Sequence, residues 1–276
     1  LCLVLLRFIQ GLAVGGQWGG AMLLVTESAP ADKRGWYGAY AQAGAPMGVI
    51  LANLAFISVS ASMSDEAFLA WGWRLPFIAS ILLIAISLYI QLRMEDTEAF
   101  KALQAEQAAS PQQAVAQRSP VFEAMRRYPR RILLAAGAFL SVQVTFYILI
   151  AFVIAYGLNS PTVDLTRDEL LVSVLVAAAI MMPAQFYFSG LSDRVGRKQI
   201  YRWGAILTGI WGFAIFPLVD TGMPIMITLA VTMGMVLLGM QYGPQAAYFT
   251  ELFATEVRYS GASLGYQIGA ILGGAL

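Results

Sequence analysis

The chain has 276 residues, 59% of them hydrophobic and only 12% charged, with a formal net charge of +1. A soluble domain carries roughly 25% charged residues, so a cytosolic enzyme, a nucleic-acid binder and a disordered chain are all excluded. One cysteine and no histidine leave no intramolecular disulfide, no thiolate metal cluster and no imidazole chemistry. The composition is that of a polytopic membrane protein. An apolar run of about 20 residues crosses a bilayer core as a helix. Eight such runs are expected, over 1–26, 36–60, 71–92, 131–157, 169–189, 202–219, 224–249 and 260–276. The first begins at Leu1 without a basic flank, so it is not a signal peptide. Both ends interrupt an apolar run, and the sequence therefore reads as a fragment.

Basic residues alternate from loop to loop. Lys33 and Arg34 follow the first run. Arg93, Lys101, Arg118, Arg126, Arg127, Arg130 and Arg131 fall in or beside the third connection. Arg194, Arg197, Lys198 and Arg202 follow the fifth run, and Arg258 precedes the last. The other loops hold Arg74 and Arg167 beside a larger number of acids. The positive-inside rule puts loops 27–35, 93–130, 190–202 and 250–259 in the cytoplasm. Trp71 and Trp73 suit an aromatic belt at the opposite interface. Segment 93–130, rich in Gln and Ala with Pro111, Pro120 and Pro129, reads as a linker that is helical in part. It divides the chain into 1–92, the second half of an N-terminal helical bundle, and 131–276, a C-terminal bundle lacking its last helix.

The sequence repeats itself at an offset of 224 residues. Gly15, Gln17, Gly19, Thr26, Glu27 and Arg34 recur as Gly239, Gln241, Gly243, Thr250, Glu251 and Arg258, and Trp18 becomes Tyr242. One residue of slippage later, Gln42, Gly44, Ala45 and Gly48 recur as Gln267, Gly269, Ala270 and Gly273. The copies begin in the first and seventh runs, which makes a parallel six-helix repeat. Such repeats, related by an axis along the membrane normal, are an arrangement of secondary transporters, with binding near the midplane between the halves. A duplicated channel or scaffold could carry the same repeat.

The run S-G-L-S-D-R-V-G-R-K (189–198) closes the fifth run on the cytoplasmic side. Asp193 sits beside Arg194, Arg197 and Lys198, and Gly196 permits a tight turn. Such a cluster can bond a neighbouring helix in one state only and so bias a two-state gate; otherwise it is a positive-inside anchor. D-R-V-G-R-K resembles the cytoplasmic-loop signature of the major facilitator superfamily. R-F-I-Q-G (7–11) resembles that family's fourth-helix arginine motif. Q-G-L-A-V-G-G-Q-W-G-G-A (10–21), T-E-S-A-P-A-D-K-R-G (26–35), W-G-W-R-L-P-F (71–77) and E-L-F-A-T-E-V-R-Y-S-G-A-S-L-G-Y-Q (251–267) resemble its metabolite:proton symporter branch, which includes shikimate, proline/betaine, oxoglutarate and citrate carriers. The resemblance implies an all-α polytopic fold of two six-helix bundles, with helices four to eleven of twelve present here. Where that branch often has Glu, this chain has Gln17, which puts a proton role for that position in doubt.

Arg7, Gln10, Val14 and Gln17 fall on one helical face. A buried Arg costs about 2.5–3.5 kcal/mol on insertion scales, so Arg7 should face the interior or water. It suits a carboxylate, on a substrate or on a protein acid; the alternative is a structural ion pair. Further polar faces suggest a cavity lining: Gln42 with Asn53, Gln143 with Tyr147, Gln185, and Gln241 with Gln245 and Tyr248. For each, an interhelical hydrogen bond is the competing reading. Glu27 and Glu251 each precede an Arg by seven residues, Arg34 and Arg258. These four read as charge networks at the cytoplasmic gate, together with Asp193, Arg194, Gly196, Arg197 and Lys198. The glycine ladders 11–15–19 and 261–265–269–273 read as packing faces.

The expected protein is a secondary active transporter of the plasma membrane, the inner membrane in a bacterium, and not an enzyme. Alternating access between two bundles would carry a small organic acid or zwitterion. Uptake in symport with a proton is implied by the resemblance alone, and the acid that would carry the proton is not visible in this chain. No cofactor, metal or nucleic-acid partner is expected, and the bilayer and substrate are the only partners of a functional monomer. An efflux antiporter of the same fold, a membrane receptor and an integral-membrane enzyme are the alternatives.

Overall fold

A computed structural model describes residues 4–6, 17–93, 101, 120–161, 163 and 165–274. Arg7 and Gln10 lie outside the described residues, as does most of the expected linker. Regular structure among the described residues is helical throughout. The helices are α1 (Gln17–Ser28), α2 (Arg34–Gln42), α3 (Gly44–Ala61), α4 (Asp65–Ala70), α5 (Leu75–Arg93), α6 (Pro120–Arg127), α7 (Pro129–Tyr147), α8 (Val153–Asn159), α9 (Arg167–Val195), α10 (Arg197–Val219), α11 (Pro224–Glu251) and α12 (Arg258–Gly274).

Among the described residues, six stretches are long and apolar enough to cross a membrane: Ala31–Ala61, Gly72–Arg93, Pro129–Asn159, Arg167–Val195, Arg197–Val219 and Pro224–Glu251. The expected runs from 36–60 to 224–249 fall on them. The first expected run is described only from Gln17, and the last coincides with α12, which is 17 residues long.

The helix ends follow local chemistry. Thr166 caps α9 by accepting from the Glu169 amide, while the Glu169 carboxylate accepts from the Thr166 amide at 2.8 Å. This capping box satisfies two orphan donors at once. Gly196, at φ +103°, stops α9 and starts α10; that left-handed φ is open to glycine at no steric cost. Pro129 and Pro224 sit in the first turns of α7 and α11, where no amide donor is needed. A π-type turn, Ile148–Phe152, joins α7 to α8 and keeps Leu149 fully buried.

α9 and α10 pack along α11, and α12 packs along α7. Phe139, Leu149, Met181, Met235, Leu238 and Phe249 are fully buried between them. The α12 glycines allow the α7–α12 approach. A Cβ at Gly265 would lie 2.7 Å from Ala135 Cβ, one at Gly269 2.6 Å from the Ala136 carbonyl oxygen, and one at Gly273 2.8 Å from Gln143 Cβ. The contacts advance together along both helices, so α7 and α12 run parallel. The outside is apolar: Phe213 is 87% exposed, and no residue of α5 is buried. A helix apolar all round belongs in lipid or in a larger core.

Because a side chain at Gly269 must push α12 off the α7 backbone, Gly269→Val should cost about 1–3 kcal/mol. Gly137→Ala, with nothing within 4 Å of the added methyl, is the control. Thermal unfolding in detergent should show a lowered midpoint for the first variant and none for the second. Equal midpoints would remove the ladder as a packing determinant.

Candidate functional site: the seam at the basic end

Described parts of the basic segments meet at one end: Gly35 with Asp193, Arg197 with Glu251, Arg258 with Glu27, and Arg131 with Leu252. There α2 starts, α9 ends and α10 begins. The first two amides of α2 point at the carboxylate of Asp193. Gly35 N donates to Asp193 Oδ1 at 2.9 Å, and Trp36 N donates to Oδ2 at 2.9 Å. Four N-terminal amides of any helix lack intrahelical acceptors, and the helix dipole makes that end favourable for a carboxylate. Asp193 therefore caps a helix 158 residues away in sequence. Arg197, one helical turn on, holds Asp193 Oδ1 at 2.5 Å and reaches Glu251 Oε1 at 3.3 Å. The Asp193 side chain is only 7% exposed and that of Arg197 13%, so water screens this network weakly.

Close backbone approach makes the cap possible. A Cβ at Gly35 would lie 2.8 Å from the Ser189 carbonyl oxygen and 2.9 Å from Ser192 Oγ. One turn on, a Cβ at Gly38 would lie 3.2 Å from Ala246 Cβ on α11. Trp36 covers Gly190, and Trp36 and Tyr40 both meet the Phe186 ring.

Amides tie the seam further in. Gln42, almost wholly buried, donates to the Tyr242 carbonyl at 2.9 Å and accepts from Trp18 Nε1 at 3.2 Å. Gln185, fully buried, donates to the Ala39 carbonyl at 3.3 Å. Trp18 stacks on Tyr266 at 4.0 Å, and Tyr266 stacks on Phe139 at 4.0 Å. Gln241 joins three helices, donating to Thr208 Oγ1 at 2.9 Å and accepting from Ser141 Oγ at 3.2 Å. Gln245 buries both amide atoms without a hydrogen bond to any described residue.

Other candidates stand apart. Asn53 donates to its own helix at the Val49 carbonyl, 2.8 Å away. Gln17 is exposed at the start of α1, Tyr147 is 43% exposed, and Gln143 lies under Gly273. Tyr248 is half-buried beside Tyr201. Arg194 and Lys198 are exposed.

One charge pair crosses between the copies of the repeat. Glu27 bonds Arg258, at 3.2 Å, with the side chains 15% and 23% exposed. The two-fold mate of this pair would be Glu251 with Arg34. Glu251 instead meets Arg197, and Arg34 Nε is buried without a hydrogen bond among the described residues. Sequence reasoning missed Gly35, Gly38, Ala39 and Tyr266. Trp18 carried a signal, since the repeat preserves an aromatic there as Tyr242.

The sequence profile of the Major Facilitator Superfamily matches residues 2–276. The inner membrane metabolite transport protein YhjE of Escherichia coli (strain K12) is 36% identical over 284 residues, covering 100% of this chain and 62% of that protein. The shikimate transporter of the same organism is 34% identical over 275 residues, covering 99% and 61%. The proline/betaine transporter of Salmonella typhimurium is 28% identical over 279 residues, covering 99% and 55%. The chain thus spans less than two thirds of the length of these relatives.

A double-mutant cycle on Glu27→Gln and Arg258→Gln, read from thermal unfolding in detergent, should return a coupling of roughly 1 kcal/mol for this partly buried pair. A coupling indistinguishable from zero would show that the two side chains are solvated separately.

Proposed function

The chain belongs to the Major Facilitator Superfamily, and on that premise we propose that it is part of a secondary transporter for a small carboxylate or zwitterion. It is a membrane protein whose relatives bear transporter names, not enzyme names. Segments 1–92 and 131–276 act as two bundles, with 93–130 as the cytoplasmic strap between them. They rock about a site near the midplane, and the substrate enters from the far side when the basic end is shut.

The observation that carries this reading is the seam. The contacts named above between residues 17–61 and residues 167–274 are helix-cap bonds, side-chain hydrogen bonds, an ion pair and ring contacts, which can break without unfolding either side. A helix cap contributes about 0.5–2 kcal/mol, and an interhelical amide bond about 0.6 kcal/mol. Those magnitudes hold one state without trapping it, and a ligand that favours the other state can shift the balance. Gln185 Oε1 and both side-chain amide atoms of Gln245 are buried without hydrogen bonds among the described residues. Such groups cost about 1–3 kcal/mol each, and a polar solute passing between the bundles would relieve them. Arg7 and Gln10, on the face that also carries Gln17, would meet the substrate carboxylate.

Proton symport rests on the family resemblance. Among the described residues the acids gather near the helix ends. The proton step would therefore use Glu27 near the seam or groups beyond the described residues.

Transport can be tested with the intact protein in proteoliposomes, offered labelled shikimate, dicarboxylates, proline and betaine, with and without a protonophore. Saturable uptake abolished by the protonophore is expected; uptake indifferent to it would overturn symport alone. Gly38→Cys with Ala246→Cys, in a Cys2→Ser background, sets two Cβ atoms close enough for a disulfide. Oxidation should stop transport and reduction restore it. Full transport by the cross-linked protein would show that the bundles do not part at this seam.

A further inference from the structure

α6 is the most two-faced of the described helices. At 100° per residue, Ala124, Tyr128, Val121, Met125 and Phe122 fill one arc in that order, and Arg126 follows directly. Two of these side chains pack on the described helices and turns. Ala124 is fully buried where α6 packs on α12 and on the turn Thr255–Val257. Tyr128 packs edge-on against Phe253. Val121, Phe122 and Met125 remain 44%, 55% and 54% exposed.

Exposed apolar residues recur at the head of α7, where Leu133 and Leu134 are 66% and 62% exposed on a helix long and apolar enough to cross the membrane. Basic residues ring the junction. Arg126, Arg127 and Arg130 are exposed; Arg127 is paired with Glu123 at 2.5 Å. Arg131 lies over the Tyr128 ring and donates to the Leu252 carbonyl at 2.7 Å, which fixes the corner between α6 and α7. Four guanidinium groups thus gather where apolar surface gives way to water, one of them paired with Glu123.

We propose that α6 is an interfacial anchor that binds anionic phospholipid, with Val121, Phe122 and Met125 in the acyl boundary and Arg126, Arg127 and Arg130 on the headgroup phosphates. An amphipathic helix of this kind lies in the membrane plane with its apolar face submerged. Its basic residues gain from the negative surface of the cytoplasmic leaflet. An acidic protein segment would satisfy the arginines but not the exposed apolar residues of α6 and of the adjoining spanning helix. A phospholipid satisfies both.

The test uses the intact protein in a Cys2→Ser background, with a fluorophore on Met125→Cys, in phosphatidylcholine vesicles. Brominated phosphatidylglycerol or brominated phosphatidylcholine is added at equal mole fraction. Quenching should be stronger with the phosphatidylglycerol, and salt should weaken the difference. The triple variant Arg126→Gln, Arg127→Gln, Arg130→Gln should reduce the preference for phosphatidylglycerol at least about tenfold. The corresponding triple Lys variant should keep most of it, which separates charge from any loss of folding. Equal quenching by both lipids would overturn headgroup binding. Quenching by neither would mean that protein covers the strip, and would overturn the anchor.

Discussion

A carboxylate and two backbone amides hold the basic end together. Asp193 does for α2 what a local Ser or Asp does for most helices, but from another part of the chain. The first amides of a helix must be met by something, and in α2 the residues just ahead provide no side-chain cap. The start of α2 and the end of α9 are therefore each incomplete alone. Gly35 makes their contact possible by presenting no side chain, and Arg197 fixes the carboxylate in place. Trp36 and Tyr40 then meet Phe186, Gly38 meets Ala246, and Gln42 and Gln185 reach carbonyls deeper in the seam. These contacts all depend on the same approach of α2 to α9 and α11.

The repeat in sequence reappears in the Thr26 and Thr250 hydroxyl bonds to equivalent carbonyls, but not in the ion pairs. Glu27 and Glu251 occupy equivalent positions but choose unequal partners, Arg258 across the seam and Arg197 within its own half. The difference follows from position. Arg197 is already held one turn from Asp193 and has a second nitrogen to offer, so Glu251 finds a fixed cation nearby. Opening the seam would break the Glu27 pair while leaving the Glu251 pair whole.

Much of the helical layout was legible. Apolar length gave the spanning runs, because a bilayer demands about 20 such residues whatever the partner. Gly196 could be read as the break between α9 and α10, since only a flexible backbone fits between D-R-V and R-K without distorting either helix. The partners were not legible. Seven-residue spacing joined Glu27 to Arg34 and Glu251 to Arg258, yet the bond formed runs from Glu27 to Arg258. Spacing reports which residues share a copy, not which copies touch. The polar faces left cavity lining and interhelical bonding as equal readings. Gln42, Gln185 and Asn53 look alike on a helical wheel, but Asn53 is short enough to bond its own turn, whereas the longer glutamines reach the next helix. Arg7 and Gln10 stay as sequence alone left them.

α5 has a consequence for the membrane itself. Its 19 residues rise about 28 Å, close to the roughly 30 Å of a hydrocarbon core. Arg74 over Trp73 marks one end and Arg93 over Tyr89 the other. A helix of this length spans with modest tilt, and a mismatch with the bilayer costs fractions of a kcal/mol per Å. The two cation–ring pairs put a charged and an aromatic group together at each end of the apolar stretch, so they resist sliding of α5 along the membrane normal.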